Sequence, residues 1–226
     1  VGLDALGANT TGTQNTAVGT YALDTNSTAD NNTAVGYAVL DANTTGSSNV
    51  AIGSSALQSN TTASNNTAVG YQAGNSNTTG ERNTSVGTQS LYTNTTGSFN
   101  STYGRASMYF NTTGQQNSAL GQDSLFSNTA GSYNVALGKS ALQTNTTASN
   151  NTAVGYQAGY ANTTGERNTF IGRDAGSNVT TGADNVCIGY DAISNSASDG
   201  DQIVIGNDVD SLAGNTFTFG NNNIGR

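Results

Sequence analysis

The chain has 226 residues, of which 34% are hydrophobic and 9% are charged, and its formal net charge is −8. It contains no histidine, proline or tryptophan, and Cys187 is its single cysteine. These counts exclude a histidine-based catalytic triad, a His/Cys zinc site and an internal disulfide. The acidic excess opposes binding to nucleic acid or an anionic membrane, because phosphate neutralisation requires clustered Lys and Arg. We therefore expect a non-enzymatic protein.

One stretch of nineteen residues occurs twice, as Asn66–Thr84 and as Asn151–Thr169, with differences at only two positions. The two copies begin 85 residues apart, and 85 is five times 17. Such a fixed period is typical of a solenoid, whose units bury their apolar faces by stacking on one another. We number each 17-residue unit so that "NTAVG" occupies positions 1 to 5, and we call the residues at one position of successive units a column. Glycines mark position 5 throughout: Gly2, Gly19, Gly36, Gly53, Gly70, Gly87, Gly104, Gly121, Gly138, Gly155, Gly172, Gly189 and Gly206.

The repeat also predicts the domain organisation. Residues 1–206 form a solenoid of thirteen units, and residues 207–226 form a cap or transition segment, because Gly220 follows Gly206 after only 14 residues. The first residues lack the basic start and apolar core of a signal peptide, and no run of 18 apolar residues occurs. Since the chain begins in the middle of a unit, we expect it to be cut from something longer.

Positions 2 to 4 predict a short strand in each unit. Position 4 is mostly aliphatic, as in Val35 and Ile52, and position 2 alternates Thr with Val or Ile. Because residues two apart share one face of a strand, we expect positions 2 and 4 to face the core and the alanines of position 3 to face outward. Positions 8 and 9, as in Ala56-Leu57, add a second apolar segment. The predicted fold is an all-β, parallel β-solenoid.

Asparagine recurs at positions 1 and 12, as in Asn66 and Asn77. Stacked at about 4.8 Å, such amides are expected to hydrogen-bond along the solenoid axis, and the glycines of position 5, such as Gly70 and Gly87, are expected at corners with positive φ. The Asn-Thr-Thr triplets also match the N-glycosylation pattern, which is informative only in a eukaryotic secretory context. We interpret these residues as turn and ladder elements.

The segments "NTAVGYQA", "NVAIGSSAL" and "NVALGKSAL" resemble the head repeats of YadA-like trimeric adhesins, and the "NTAVG…NTTG" pattern resembles repeats of phage tail fibres. The resemblance covers Val1 to about Ile205. It implies a left-handed parallel β-roll and a homotrimer, although the 17-residue period is longer than the coil of those heads. We place the trimer contact on the small residues of position 3, including Ala34, Ala51, Ala68 and Ala153.

Two columns are candidate sites. Position 10 is polar in the first units but aromatic at Tyr92, Tyr109 and Phe126, and Phe110 follows Tyr109, so these four residues are candidates for receptor contact. The alternative is stacking along the solenoid or within the trimer.

Position 7 reads Asp174, Asp191 and Asp208 in three successive units, and such an oxygen-rich column suits Ca²⁺, with a solvated acidic rim as the alternative. Cys187 and Met108 are predicted core fillers, and Glu81-Arg82 and Glu166-Arg167 are predicted surface pairs.

We expect an extracellular, non-enzymatic fibre or adhesin segment that projects from a virion or a cell and contacts a receptor on the host surface, and we expect that receptor to be a glycan. It would need no cofactor apart from the Ca²⁺ just considered. The first alternative is a structural filament in which coil ends stack head-to-tail. The second is ice binding, prompted by the position-13 threonines Thr44, Thr61, Thr78, Thr95 and Thr112. Because positions 13 and 14 point to opposite faces, only one threonine column is expected to face outward.

Overall fold

The computed structural model describes residues 1–211 and 215–221, and it confirms an all-β parallel β-solenoid with a 17-residue coil. Each coil contributes one short strand at positions 2 to 4, followed by turns. The strands are β1 Thr16–Val18, β2 Thr33–Val35, β3 Val50–Ile52, β4 Thr67–Val69, β5 Thr84–Val86, β6 Ser101–Tyr103, β7 Ser118–Leu120, β8 Val135–Leu137, β9 Thr152–Val154, β10 Thr169–Ile171, β11 Val186–Ile188, β12 Ala192–Ile193, β13 Ile203–Asn207, β14 Val209–Asp210 and β15 Phe217–Asn221.

Thirteen of these strands form one long sheet in the order β1 to β11, then β13 and β15. All pairs are parallel and in register, so that Ala34 lies beside Ala51 and Ala51 beside Ala68. A second sheet of two strands, β12 and β14, forms near the C-terminal end. The long sheet continues across the predicted boundary at residue 206, because β15 pairs with β13 and places Gly220 beside Gly206. The predicted segment 207–226 lies partly outside the described residues.

The glycine at position 5 is required for two separate reasons. These residues adopt φ values from +126° to +155°, a region that other residues rarely enter. A β-carbon on Gly87 would also lie 2.5 Å from the carbonyl oxygen of Gly104 in the next coil. The predicted corner is therefore confirmed, and it is also a place where the backbones of adjacent coils approach each other closely.

The predicted direction of the strand side chains is wrong. Ala34, Ala51, Ala68 and Ala153 are all 0% exposed, whereas the residues of positions 2 and 4 are exposed or half-buried. The physical reason is the width of the coil, because the leucines of position 9 also point inward and leave room for little more than a methyl group. These four alanines consequently belong to the core and cannot form the predicted trimer contact.

Phe170 shows how columns 3 and 9 share the core. It is the one aromatic residue of column 3 in the twelve units from β1 to β13, and it is fully buried. The two nearest units of column 9 carry Gly159 and Gly176 in place of leucine. A β-carbon on Gly159 would lie 2.5 Å from the Phe170 ring, and one on Gly176 would lie 2.0 Å from it. The large ring therefore occupies the volume that leucine side chains fill elsewhere.

The apolar core consists of two clusters. One runs from Ala17 to Ala73 and the other from Leu91 to Val209. Between them lie Gly74 and a hydroxyl seam, which we define as Ser85, Ser90 and Thr102. Ser90 Oγ and Thr102 Oγ1 are 2.7 Å apart, and Thr102 also donates to the carbonyl oxygen of Thr84 at 3.1 Å. These buried hydroxyls are paired, but they interrupt the contact between apolar side chains.

The predicted asparagine ladders are confirmed, and they are buried. In column 12, Asn94 Nδ2 donates to Asn77 Oδ1 at 2.7 Å and to the carbonyl oxygen of Gly97 at 2.9 Å. In column 1, the backbone N–H of Asn83 donates to Asn66 Oδ1 at 2.9 Å. Each amide thus pairs with the adjacent coil and with a turn carbonyl of its own or the next coil. This pairing satisfies polar groups that would be costly to bury alone.

Candidate functional face

Position 4 forms an apolar stripe on the outward side of the long sheet, beside a position-2 column that is mostly Thr or Ser, and we call positions 2 and 4 of this sheet the sheet face. Position 4 carries Val, Ile, Leu or Tyr in every unit from Val18 to Ile205. Val18 is 44% exposed, Leu120 53% and Ile171 39%. With thirteen strands at a spacing of about 4.8 Å, the stripe is about 60 Å long. Because monomeric proteins rarely expose such long apolar surfaces, the sheet face is a candidate binding surface.

Two columns border the sheet face, and we call them the position-17 rim and the position-6 rim. Position 17 precedes the buried asparagine that leads into each strand, and position 6 follows the glycine corner. Arg82 lies over the ring of Phe99 at 5.2 Å, whereas Arg173 lies between two rings, 5.7 Å from Tyr156 and 5.5 Å from Tyr190. Both rims thus carry cations stacked on aromatic rings, an attractive arrangement.

Charge is distributed unevenly around the coil. The sheet face and the position-6 rim contain no acidic residue from Val1 to Asn207, although the chain has fourteen in all. The position-17 rim carries Asp184 and Asp201 near its C-terminal end. All the basic residues of residues 1–211 and 215–221 lie on the rims: Arg82 and Arg167 at position 17, and Arg105, Lys139 and Arg173 at position 6.

Acidic residues of the position-17 rim and of other positions pair with the rim cations. Arg105 is 3.3 Å from Asp123, Arg173 is 3.1 Å from Asp174, and Arg167 is 2.7 Å from Asp184. The last contact lowers the pKa of the Asp184 carboxyl and raises that of Arg167. All three arginines remain more than half exposed, so the pairs add little stability.

The predicted receptor-contact residues form one aromatic ladder. Tyr92, Tyr109 and Phe126 stack in successive coils, with centroid distances of 5.0 and 5.4 Å and interplanar angles of 21° and 24°. Phe110 lies edge-on to Tyr109 at 4.8 Å and to Phe126 at 5.1 Å, and it is 44% exposed. Stacking along the solenoid, the alternative interpretation, is therefore what the geometry shows. The stacked rings face one another, and Phe110 is the most accessible of the four.

The predicted metal column is less well arranged. Within residues 1–211 and 215–221, no group of three or more His, Cys, Asp or Glu side chains is placed to hold a metal ion. Burial raises the pKa of Asp191, and the neighbouring Asp208, Asp174 and Asp210 raise it further, while Arg173 lowers it. Asp174 pairs with Arg173 at 3.1 Å. Calcium binding by this column stays a prediction.

The other sequence predictions have mixed outcomes. Cys187 and Met108 are fully buried, which confirms them as core residues, and burial raises the pKa of the Cys187 thiol to about 12. Glu166 and Arg167 pair at 3.2 Å, as predicted. In the described part of the chain Arg82 has no ion pair with Glu81, because it stacks on Phe99 instead.

The threonines of positions 13 and 14 differ in exposure. Thr44 and its equivalents at position 13 are half-buried, and their hydroxyls donate to the carbonyl oxygen of position 13 in the next coil, at 3.1 Å from Thr44 to Thr61. Position 14 residues such as Thr45 are exposed. One outward threonine column therefore exists, as expected, and ice binding stays a prediction.

Comparison of this sequence with models of protein families and with curated proteins, and of its fold with solved structures, gave no match. Within the residues that the structure describes, no helix is long and apolar enough to cross a membrane. The sheet face and its rims are thus identified from geometry and charge alone.

The sequence contained a signal for this face that the periodicity argument missed. A large Phe170 next to glycines at two column-9 positions indicates that columns 3 and 9 meet inside the coil. Position 4, by contrast, varies from valine to Tyr103, which is typical of an open surface. Both observations place position 4 outside.

Proposed function

We propose that this chain is a segment of an extracellular, non-enzymatic fibre or adhesin that projects from a virion or a cell and contacts a glycan on the host surface. The observation that supports this proposal best is the uninterrupted, in-register stack of coils. It makes an element about 60 Å long from strands of mostly three residues, at the usual spacing of about 4.8 Å. Such an element is suited to holding a contact site away from a surface. The resemblance to trimeric adhesin heads adds a homotrimer to the proposal.

The aromatic ladder supports a neutral glycan as the receptor. Positions 10 to 14 carry no charged residue after Asp41 in the described part of the chain, so the ladder lies on an uncharged side of the coil. Phe110 is the ring with the most exposed surface there. A sugar stacked on such a ring gains about 1 kcal/mol, so a useful affinity needs several copies of the site. A homotrimer supplies three.

The test is binding of the chain to an array of neutral glycans, with Phe110→Ser as the variant. Tyr160→Ser is the matched control, because Tyr160 occupies the column of the ladder but lies two coils beyond Phe126. We expect Phe110→Ser to lose binding while the control binds normally and both keep their β-type circular dichroism. Binding that survives Phe110→Ser would contradict the assigned site. Long uniform filaments of the unmodified chain in electron micrographs would instead support the head-to-tail alternative.

A further inference from the structure

We propose that the sheet face docks a second copy of this chain, in parallel orientation and in register, so that the position-6 rim of each copy meets the position-17 rim of the other. The proposal goes beyond receptor contact and does not depend on it, and it assigns a two-fold pair to this face in place of the homotrimer that the resemblance suggests. It concerns a face that the sequence alone did not assign to the surface.

The size of the face suits a stable contact. From position 17 to position 6 the chain advances six residues, which is about 20 Å, and the stripe is about 60 Å long. Their product is about 1,200 Å², compared with the roughly 800 Å² per partner of standard interfaces. The position-4 column of the face is mostly aliphatic, as at Leu120 and Ile171, and the border of the face is polar and aromatic, as in the usual anatomy of an interface.

Charge selects a second copy as the occupant. Two acidic rods repel each other on most of their surfaces, but the sheet face has no acidic residue and its rims carry every described cation. Contact through this face therefore keeps most carboxylates of the two copies apart. It also brings cations close to the aromatic and acidic groups at the opposite border of the partner.

Parallel register pairs the rims coil by coil. A two-fold rotation about an axis parallel to the solenoid keeps every residue at the same position along that axis. The position-17 residue before a strand therefore meets the position-6 residue that follows the same strand in the second copy. Strand β6 is flanked by Phe99 and Arg105, and β8 by Tyr133 and Lys139. Arg105 would therefore approach Phe99 of the second copy, and Lys139 would approach its Tyr133. Each is a favourable pairing of a cation with a ring.

Strand β10 has a charged pair at each border, Glu166-Arg167 on one side and Arg173-Asp174 on the other. In parallel register Arg173 lies opposite Arg167 of the second copy, and the adjacent Glu166 and Asp174 supply opposite charges beside these two cations. Two of the five rim cations, Arg105 and Lys139, thereby gain an aromatic partner, Arg82 faces a threonine, and Arg167 and Arg173 face each other.

Antiparallel docking is less favourable. If all thirteen strands overlap, reversal about the central strand β7 pairs β6 with β8. This arrangement sets Arg105 opposite Lys139 on the position-6 rim, twice in each pair of copies. Each orientation sets one kind of cation pair face to face, but only the parallel one also places Arg105 and Lys139 on aromatic rings and has acidic residues beside the facing cations.

The first experiment measures mass by light scattering over a range of concentrations. We expect the unmodified chain to associate and the double variant Leu120→Glu/Ile171→Glu to be monomeric with its β-type circular dichroism unchanged. The control Thr113→Glu/Thr181→Glu adds the same charge at exposed position-14 sites and should associate like the unmodified chain. A monomeric unmodified chain, or a Leu120→Glu/Ile171→Glu variant that still associates, would overturn the proposal.

The second experiment tests orientation with Ile52→Cys in a Cys187→Ala background. Ile52 lies on β3 and is 41% exposed, and parallel register brings it close to Ile52 of the second copy. We therefore expect a bismaleimide to cross-link this variant. Antiparallel docking pairs β3 with β11, so a cross-link that forms only between Ile52→Cys and Ile188→Cys chains would overturn the parallel arrangement.

Discussion

The ring of Phe170 occupies the space beside the α-carbon of Gly176, where an added β-carbon would lie 2.0 Å from Phe170 Cδ1. The obstacle is steric and not conformational, because Leu91 and Leu125 adopt φ values of +54° and +49° in the same column, close to the +61° of Gly176. We expect Gly176→Ala to lower the free energy of unfolding by about 1–3 kcal/mol through overpacking.

A double-mutant cycle checks this relationship. Phe170→Ala alone should cost about 3–5 kcal/mol because it leaves a cavity. The combination Phe170→Ala/Gly176→Leu recreates the alanine-and-leucine pairing of other coils. It should therefore destabilise the fold much less than the sum of Phe170→Ala and Gly176→Leu measured separately. Additive losses in thermal unfolding would contradict the packing described.

Neighbouring residues of β4 should respond in opposite ways to the same substitution. Ala68 is fully buried, so Ala68→Arg places a charge in the core and should unfold the surrounding coils. Val69 faces outward and is only half-buried, so Val69→Arg should leave the β-type circular dichroism intact. If Ala68→Arg folded normally, the assignment of column 3 to the core would be wrong.

The column-12 ladder should contribute substantially to stability. Asn94 donates to Asn77 Oδ1 at 2.7 Å and accepts from Asn111 Nδ2 at 2.7 Å. Asn94→Ala removes this amide and leaves its buried partners unsatisfied. We expect the free energy of unfolding to fall by about 1–3 kcal/mol for each unsatisfied group. The exposed Thr96→Ala in the same coil should change the unfolding free energy by less than about 0.5 kcal/mol. Equal effects of the two changes in denaturant titrations would count against a structural ladder.

The Cys187 thiol should be unreactive in the folded protein, because burial raises its pKa to about 12 and the thiolate is the reactive form. A thiol reagent at pH 8 should label it only after denaturation. Thr113→Cys in a Cys187→Ala background supplies an exposed thiol that should react at once. Fast labelling of native Cys187 would show that the coil around β11 opens readily.

Asp191 should make stability depend on pH in a defined direction. Its folded pKa is raised, first by burial and then by Asp208 and Asp174, so its ionised form is disfavoured in the folded state. The resulting loss of stability is present above the folded pKa and disappears as the pH falls to the unfolded value of about 3.9. Asp191→Asn, which tolerates the φ of +49°, should therefore raise the melting temperature at pH 7 but not below about pH 3.9.

Asp184→Asn is the control of opposite sign. The hydrogen bond from Arg167 lowers the pKa of Asp184, so its contribution is favourable above the usual aspartate pKa and is lost in acid. This change should lower the melting temperature at pH 7.

Calcium should raise the melting temperature of the unmodified chain if the Asp174, Asp191 and Asp208 column binds it. Equal melting temperatures in calcium and in chelator would show that the column does not bind calcium and is only a solvated acidic rim.

The repeat allowed the parallel stack, the glycine corners and the asparagine ladders to be predicted, because a strict period places identical residues directly above one another. Alternation within a strand was less informative. Only three residues such as Thr67, Ala68 and Val69 are available, and they are apolar or β-branched on both faces, so either direction satisfies the pattern. Side-chain volume decides between them, since a 17-residue coil that already encloses leucine has space for alanine but not for valine.

The left-handed turns were not predictable from residue type. Leu57 has φ of +47° and Ser55 has +58°, although bulky residues rarely adopt positive φ. Their backbone N–H groups donate to neighbouring coils, from Leu57 to the Ala73 carbonyl at 3.0 Å and from Ser55 to that of Tyr37 at 2.9 Å. Hydrogen bonds between coils thus outweigh the local preference. The rims were missed because their cations are far apart in sequence and meet in one column only after folding.

A stack of coils that is pulled along its axis should part at its weakest junction, and the hydroxyl seam is where apolar contact between coils is interrupted. The coils on either side of Ser90 keep their own apolar clusters, and none of the side chains in one cluster packs into the other. Separation at the seam would break hydrogen bonds that water can replace, and it would part fewer apolar contacts than a break within either cluster. Each half would keep folded coils at its end, and these coils could template the refolding of the lost ones. The break would therefore be reversible.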